Sequence, residues 1–144
     1  IAYSFCRSHL MHGTEETIKT LKSKGYSIAF LSSNPLVIME QLKEILGVDF
    51  ICGNELEFKN GFCTGRLTRK VDRYVKAEEL EKIITKNSIP KSEVYVVGDS
   101  ETDIPMAEYG IFISYNSKDE EVDKLAEGRV IKEKDLRKTL KFIA

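Results

Sequence analysis

The chain alternates between short, continuously apolar runs and longer segments in which apolar residues recur every three or four positions. The second pattern predicts helices, and it covers residues 14–24, 35–46, 76–86, 103–109, 119–125 and 134–143. The first pattern is typical of strands buried on both faces, and it covers residues 26–31, 48–52, 93–97, 111–114 and 129–131. The alternation therefore predicts an α/β fold with a parallel sheet covered by helices on both faces.

Two segments depart from this rhythm. Residues 55–58 and 62–67 flank Asn60-Gly61, a dipeptide suited to the positive backbone angles of a tight hairpin turn. A small β-hairpin is therefore predicted as an insertion between the second strand and the next helix. Residues 1–6 are compatible either with a strand or with the last turn of a preceding element.

Composition narrows the class of protein. The 144 residues are 42% hydrophobic and 31% charged, with a formal net charge of −1, so bulk charge favours neither nucleic acid nor an anionic membrane as a partner. The apolar runs are far shorter than the roughly 20 residues of a membrane span, and a cytoplasmic location is predicted. Cys6, Cys52 and Cys63 show no CxxC spacing and are predicted to be reduced and structural.

Polar side chains follow the first predicted strand. Ser32 and Ser33 come directly after the apolar run, Asn34 is suited to cap the next helix, and Pro35 suits its first position. The free N–H groups of a helix N-terminus bind phosphate, and the Ser32 hydroxyl adds a donor. The alternative is that these residues only end a strand and cap a helix.

Two carboxylates follow the strand at residues 93–97. Asp99 comes directly after Gly98, and Asp103 follows four residues later. Ligands of parallel sheets bind beyond the carboxyl ends of the strands, and Mg²⁺ takes one or two carboxylates together with substrate phosphate oxygens. The alternative is that Asp99 is a turn residue and Asp103 a first-turn acid.

Lys76 stands at the start of a predicted helix. A cation at that end opposes the helix dipole, so a compensating anion is expected, and a bound phosphate would be one. The alternative is a surface lysine beside Glu78 and Glu79.

In this order, a hydroxyl after a strand, a lysine before a helix and Gly-Asp-x-x-x-Asp after another strand resemble motifs two, three and four of the haloacid-dehalogenase-like (HAD) phosphohydrolases. Residues 12–18, 58–65 and 135–141 resemble the core-helix entry, hairpin and C-terminal helix of phosphoserine phosphatases. The resemblance implies a Rossmann-like core at residues 13–144. It also implies Mg²⁺-dependent hydrolysis of a phosphomonoester, with a small phosphorylated metabolite as substrate.

The resemblance implies roles on the phosphate side of the site. Ser32 would bind the transferring phosphoryl group, and Ser33 and Asn34 would add phosphate contacts. Lys76 would neutralise the phosphate and the nucleophile.

It also implies roles on the metal side. Asp99 would ligate Mg²⁺, and Asp103 would support either the metal's water shell or the lysine. Thr102 would contact substrate. Phosphoserine phosphatases usually have Asn at the position of Thr102 and Ser-Gly-Gly at residues 32–34, so substrate specificity is left open.

The family's first motif, an apolar strand ending in Asp-x-Asp-x-Thr, does not occur in these residues. Its first Asp is the nucleophile, and covalent catalysis requires it. We therefore expect an N-terminally truncated chain without the central nucleophile strand, in which residues 1–12 are a remnant of the cap-to-core linker. The full-length protein would be an enzyme, whereas this chain alone would be inactive.

Two other hypotheses stay open. One is a non-catalytic phosphate-binding or regulatory HAD-like protein. The other is a phospho-accepting receiver domain, which has its acidic pair early and its lysine last, the reverse of the order here. The sequence does not predict the oligomeric state.

Overall fold

The computed structural model describes residues 1–144. The helices are α1 (Ala2–Ser8), α2 (Thr14–Ser23), α3 (Leu36–Leu46), α4 (Arg73–Lys86) and α5 (Glu120–Leu125). The strands are β1 (Ala29–Pro35), β2 (Phe50–Lys59), β3 (Phe62–Arg69), β4 (Tyr95–Gly98), β5 (Ile111–Tyr115) and β6 (Val130–Ile131). The 3₁₀ helices are Lys91–Glu93, Glu101–Tyr109 and Leu136–Phe142. None of the helices combines the length and hydropathy that a membrane crossing requires.

The predicted mixture of parallel strands and helices is confirmed, but the strands form two sheets, ordered β1-β2-β3 and β4-β5-β6. The chain likewise divides into two compact units. The first contains residues 1–10 and 18–72, and the second contains residues 11–17 and 73–144. Strands β1 and β4 each lie at the end of a sheet.

In the first unit, β1 pairs in parallel with β2, with Phe30 opposite Ile51 and Leu31 opposite Cys52. Helix α3 joins them and packs on β2, and its apolar face buries Met39 and Leu46. Because Gly47 adopts a left-handed conformation with φ +65°, the helix ends there, as its sequence predicts.

The predicted hairpin is confirmed. Asn60 and Gly61 have φ of 52° and 80°, the left-handed angles that a two-residue turn between antiparallel strands needs. The prediction of two separate strands at 48–52 and 55–58 is wrong, since both lie largely in the single strand β2. The first half of β2, residues 50–54, pairs in parallel with β1, and the second half, residues 55–59, pairs antiparallel with β3.

In the second unit, β4, β5 and β6 are all parallel. Phe112 and Ile113 of β5 are buried, as the central position of this strand requires. Within β5, the Ser114 hydroxyl donates to Asp123 Oδ1 at 2.6 Å, and Lys132 Nζ donates to Asp123 Oδ2 at 2.6 Å. The carboxylate of Asp123 thereby links α5 to β5 and to the residue that follows β6.

The first residues form neither of the two predicted structures. Ala2–Ser8 is a helix, α1, which buries Cys6 and packs on α3. The segment at 103–109 is helical as predicted, but it begins at Glu101 and has 3₁₀ geometry. Pro105 lies inside it and has no backbone N–H to continue an α-helical ladder.

An exposed ionic cluster joins the entry of α2 to the C-terminal segment within the second unit. Arg137 donates to both carboxylate oxygens of Asp135, to Glu16 at 3.1 Å, and lies 3.0 Å from His12 Nε2. The hydrogen bonds from Arg137 lower the pKa of the Asp135 carboxyl from 3.8 to about 2.

A lowered pKa makes this contact sensitive to acid. Its stabilising effect is fully present above pH 3.8 and is lost as the pH falls through about 2. We expect carbon NMR of the Asp135 carboxyl to show it still ionised near pH 3, and Arg137→Gln to move the titration upward. A midpoint at 3.8 or higher in the unmodified protein would contradict the assigned contact.

Candidate functional site

Lys76 is buried in the second unit. Its helix, α4, begins at Arg73, three residues earlier than predicted, so Lys76 lies at the end of the first turn. The side chain is 8% exposed, which excludes the alternative of a surface lysine. Its ammonium donates to Asp103 Oδ1 and to Thr102 Oγ1, both at 3.0 Å.

The compensating anion for Lys76 is therefore part of the chain. The Asp103 carboxylate is 10% exposed. While Oδ1 accepts from Lys76, Oδ2 accepts from the backbone N–H groups of Asp99 at 3.1 Å and Ser100 at 3.4 Å. With three donors on its two oxygens, this carboxylate holds the lysine and closes the turn after β4. A bound phosphate is not needed to explain the lysine at that helix end.

Glycine is required at position 98 because the turn is tight. A Cβ atom there would lie 2.6 Å from Asp103 Cβ and 2.9 Å from Phe112 Cζ, both well inside van der Waals contact. The absence of a side chain at Gly98 lets Asp103 fold back beneath the end of the strand.

Sequence reasoning missed Ser100. It is the N-cap of the 3₁₀ helix at 101–109: its hydroxyl accepts from the Asp103 N–H, and the Asp103 side chain accepts from the Ser100 N–H. This is a capping box, and Ser-x-x-Asp at 100–103 was the available signal. The Ser100 hydroxyl also lies 2.9 Å from Thr102 Oγ1.

Asp99 differs from its neighbours because it is exposed. Its backbone N–H is bonded to Asp103, whereas its carboxylate makes no hydrogen bond or ion pair. No group of three or more His, Cys, Asp or Glu side chains in the chain is arranged to hold a metal ion. A single unpaired carboxylate suits Mg²⁺, which keeps several waters and binds through few protein carboxylates. Both oxygens of Asp103 already accept hydrogen bonds, so Asp103 suits a position that supports Lys76 and the Asp99 backbone rather than one that binds the metal directly.

A second ion pair links the same two segments. Arg73 Nη2 lies 2.8 Å from Glu101 Oε1, one helical turn before Lys76 and two residues before Asp103. Both side chains are partly exposed, so this pair contributes little stability by itself.

Ser32, Ser33 and Asn34 belong to the first unit. They lie within β1 rather than after it, and the predicted capping by Asn34 is wrong: Pro35 is the N-cap of α3 and makes no side-chain cap. The reason is that pairing of β1 with β2 continues to Pro35, opposite Asn54. The Asn34 amide nitrogens, main-chain and side-chain, instead both donate to Ser32 Oγ, at 3.1 and 3.0 Å.

This arrangement leaves the Ser32 hydroxyl proton as a donor, since the oxygen already accepts two bonds. The carbonyl of Ser33 is held by the Asn54 side chain at 2.6 Å. Of the predicted site residues, the structure thus brings Lys76, Thr102 and Asp103 into contact, with Asp99 adjacent, and places Ser32, Ser33 and Asn34 together in the other unit.

Comparison with known proteins identifies relatives of the chain. The phosphoserine phosphatase of Archaeoglobus fulgidus is 38% identical over 131 residues, which are 90% of this chain and 38% of that protein. The phosphoserine phosphatase of Methanocaldococcus jannaschii is 36% identical over 133 residues, which are 91% of this chain and 62% of that protein. The chain thus spans less than two thirds of either relative.

The fold is shared as well. A substrate-bound phosphoserine phosphatase complex superposes with a TM-score of 0.86 at 34% identity, over 93% of this chain and 64% of that one. A phospho-aspartyl intermediate analogue of phosphoserine phosphatase superposes with a TM-score of 0.85 over the same fractions. Residues 2–108 match the haloacid dehalogenase-like hydrolase family. The chain therefore belongs to the haloacid dehalogenase-like hydrolase family, and its relatives include phosphoserine phosphatases.

Proposed function

We propose that these residues form the phosphate-neutralising and metal-binding part of a Mg²⁺-dependent phosphomonoesterase, with phosphoserine as the substrate to test first. The observation that carries the proposal is the buried ammonium of Lys76, fixed by Asp103 beside the exposed carboxylate of Asp99. The names of the relatives support the choice of substrate.

The lysine contributes charge without having to move. Two of its three N–H groups are used by Thr102 and Asp103, and the third is available to a phosphoryl oxygen. A preorganised cation in a mostly buried position stabilises charge on a transferring phosphoryl group more than a mobile surface lysine does. Asp103 holds this cation in place.

The metal side of the proposal rests on Asp99. When bound there, Mg²⁺ would supply further neutralisation of phosphate oxygens. Asp99 would be the direct ligand, whereas Asp103 would keep the Asp99 backbone oriented through its N–H. Ser32, whose hydroxyl proton remains a donor, is proposed to bind phosphate together with Ser33 and Asn34.

The proposed reaction passes through an aspartyl-phosphate whose aspartate lies outside these residues, because no Asp-x-Asp occurs in them. The same observation supports the second candidate, a non-catalytic phosphate-binding or regulatory HAD-like protein. The two candidates differ in whether the protein hydrolyses a phosphomonoester or only binds phosphate.

The test is hydrolysis of phosphoserine by the protein expressed from the complete reading frame that contains these residues. We expect phosphate release that requires Mg²⁺ and stops with EDTA, whereas residues 1–144 alone release none. Phosphate binding without release by the complete protein would favour the non-catalytic candidate. Release that is unaffected by EDTA would contradict the metal assignment.

A further inference from the structure

The hydrogen bonds around Lys76 form a closed ring. The backbone N–H of Asp103 donates to Ser100 Oγ, Ser100 Oγ lies 2.9 Å from Thr102 Oγ1, and Lys76 Nζ donates to Thr102 Oγ1 and back to Asp103 Oδ1, both at 3.0 Å. Asp103 therefore takes part in the ring through two groups, its backbone N–H and its side-chain carboxylate.

The direction of the bond between Thr102 and Lys76 is fixed by chemistry. An ammonium can only donate, so the threonine oxygen must accept. Threonine is stiff at χ1 because it is β-branched, and its oxygen is held from the other side by Ser100, which the capping box fixes in turn. The acceptor presented to Lys76 is therefore rigid.

We propose that Thr102 and Ser100 are positioning residues for Lys76, and that Thr102 is not a substrate contact. With two N–H bonds of the ammonium fixed by the ring, tetrahedral geometry fixes the direction of the third. The ring thus aims the remaining N–H. The role given to Lys76 in binding phosphate rests on the proposed function, whereas the ring of hydrogen bonds is present without substrate.

The first test compares two variants of residues 1–144 labelled with ¹⁵N at lysine. Thr102→Val keeps the shape of the side chain and removes the acceptor, whereas Thr102→Ser keeps the hydroxyl. We expect the Lys76 ammonium protons to exchange with water about two- to tenfold faster in Thr102→Val, the factor of one hydrogen bond, and to change little in Thr102→Ser. Ser100→Ala should shift exchange in the same direction by less.

Lys132 provides the internal control. Its ammonium is bonded to Asp123 and to the Ser117 carbonyl, at 2.6 and 2.7 Å, outside the ring, so its exchange should be the same in every variant. Equal Lys76 exchange in Thr102→Val and the unmodified chain would overturn the proposal. So would a Thr102→Ser variant that exchanges as fast as Thr102→Val.

The second test uses phosphoserine hydrolysis by the protein from the complete reading frame. A positioning role predicts that Thr102→Val lowers kcat by about tenfold or more and leaves KM nearly unchanged, since a misplaced catalytic group costs rate, and that Thr102→Ser restores kcat. A raised KM with unchanged kcat would identify Thr102 as a substrate contact and overturn the proposal. Because ammonium exchange needs no substrate, failure of the proposed function leaves the first test decisive.

Discussion

Lys76→Met should destabilise the protein by about 3–5 kcal/mol, the cost of removing one partner of a buried ion pair. Asp103 would remain with an uncompensated carboxylate that is only 10% exposed. Its two bonds from backbone N–H groups satisfy Oδ2 but carry no full positive charge. Urea unfolding at neutral pH, followed by circular dichroism, measures the loss.

Lys82→Met is the matched control. Lys82 lies on the same helix and pairs with Glu79 at 3.0 Å, but its side chain is 68% exposed. An exposed pair of this kind contributes about 0.5 kcal/mol or less. A double-mutant cycle that combines Lys76→Met with Asp103→Asn should show strong coupling. Equal losses for Lys76→Met and Lys82→Met would contradict the buried pair.

Gly98→Ala should destabilise the protein by about 2–3 kcal/mol, in the range of overpacking a filled site. The added methyl group would overlap Asp103 and Phe112, since its ideal position is 2.6 and 2.9 Å from them. Phe112 belongs to the buried strand β5 and cannot withdraw, so Asp103 has to move. We therefore also expect NMR shifts at the N–H groups of Asp99 and Ser100, which donate to Asp103.

Val97→Ala, one residue earlier in β4, is the comparison. Val97 is 40% exposed, and its truncation removes two partly buried methyl groups at a cost of about 1 kcal/mol. It should leave the N–H signals of Asp99 and Ser100 in place. The steric account fails if Gly98→Ala is no more destabilising than Val97→Ala.

Local chemistry predicted much of the fold. The Asn60-Gly61 turn and the helix end at Gly47 both follow from backbone angles that few residues adopt, and each is where the sequence places it. The apolar run before Gly98 is a parallel strand, as predicted, but it lies at the end of its sheet, and only one face is covered, since Val96 is buried whereas Val97 is 40% exposed.

The predictions were wrong or incomplete where contacts between segments distant in sequence decide the local structure. Asn34 is a strong N-cap residue, but pairing of β1 with Asn54 extends the strand past it. Lys76 and Asp103 are 27 residues apart, and a helical pattern gives no distance between them. Only the order of the motifs, through the resemblance, gave support of the lysine as one of two roles for Asp103.

We propose that Asp99 and Lys76 serve the reaction of a phosphatase. The most direct measurement is the rate of Mg²⁺-dependent phosphoserine hydrolysis by the protein from the complete reading frame, compared with its Asp99→Asn variant. Because the Asp99 carboxylate has no partner in the structure, this substitution should change the free energy of unfolding by about 0.5 kcal/mol or less. We predict at least a hundredfold loss of kcat/KM, which corresponds to about 2.7 kcal/mol of lost transition-state stabilisation. Full activity of Asp99→Asn in Mg²⁺ would contradict the account.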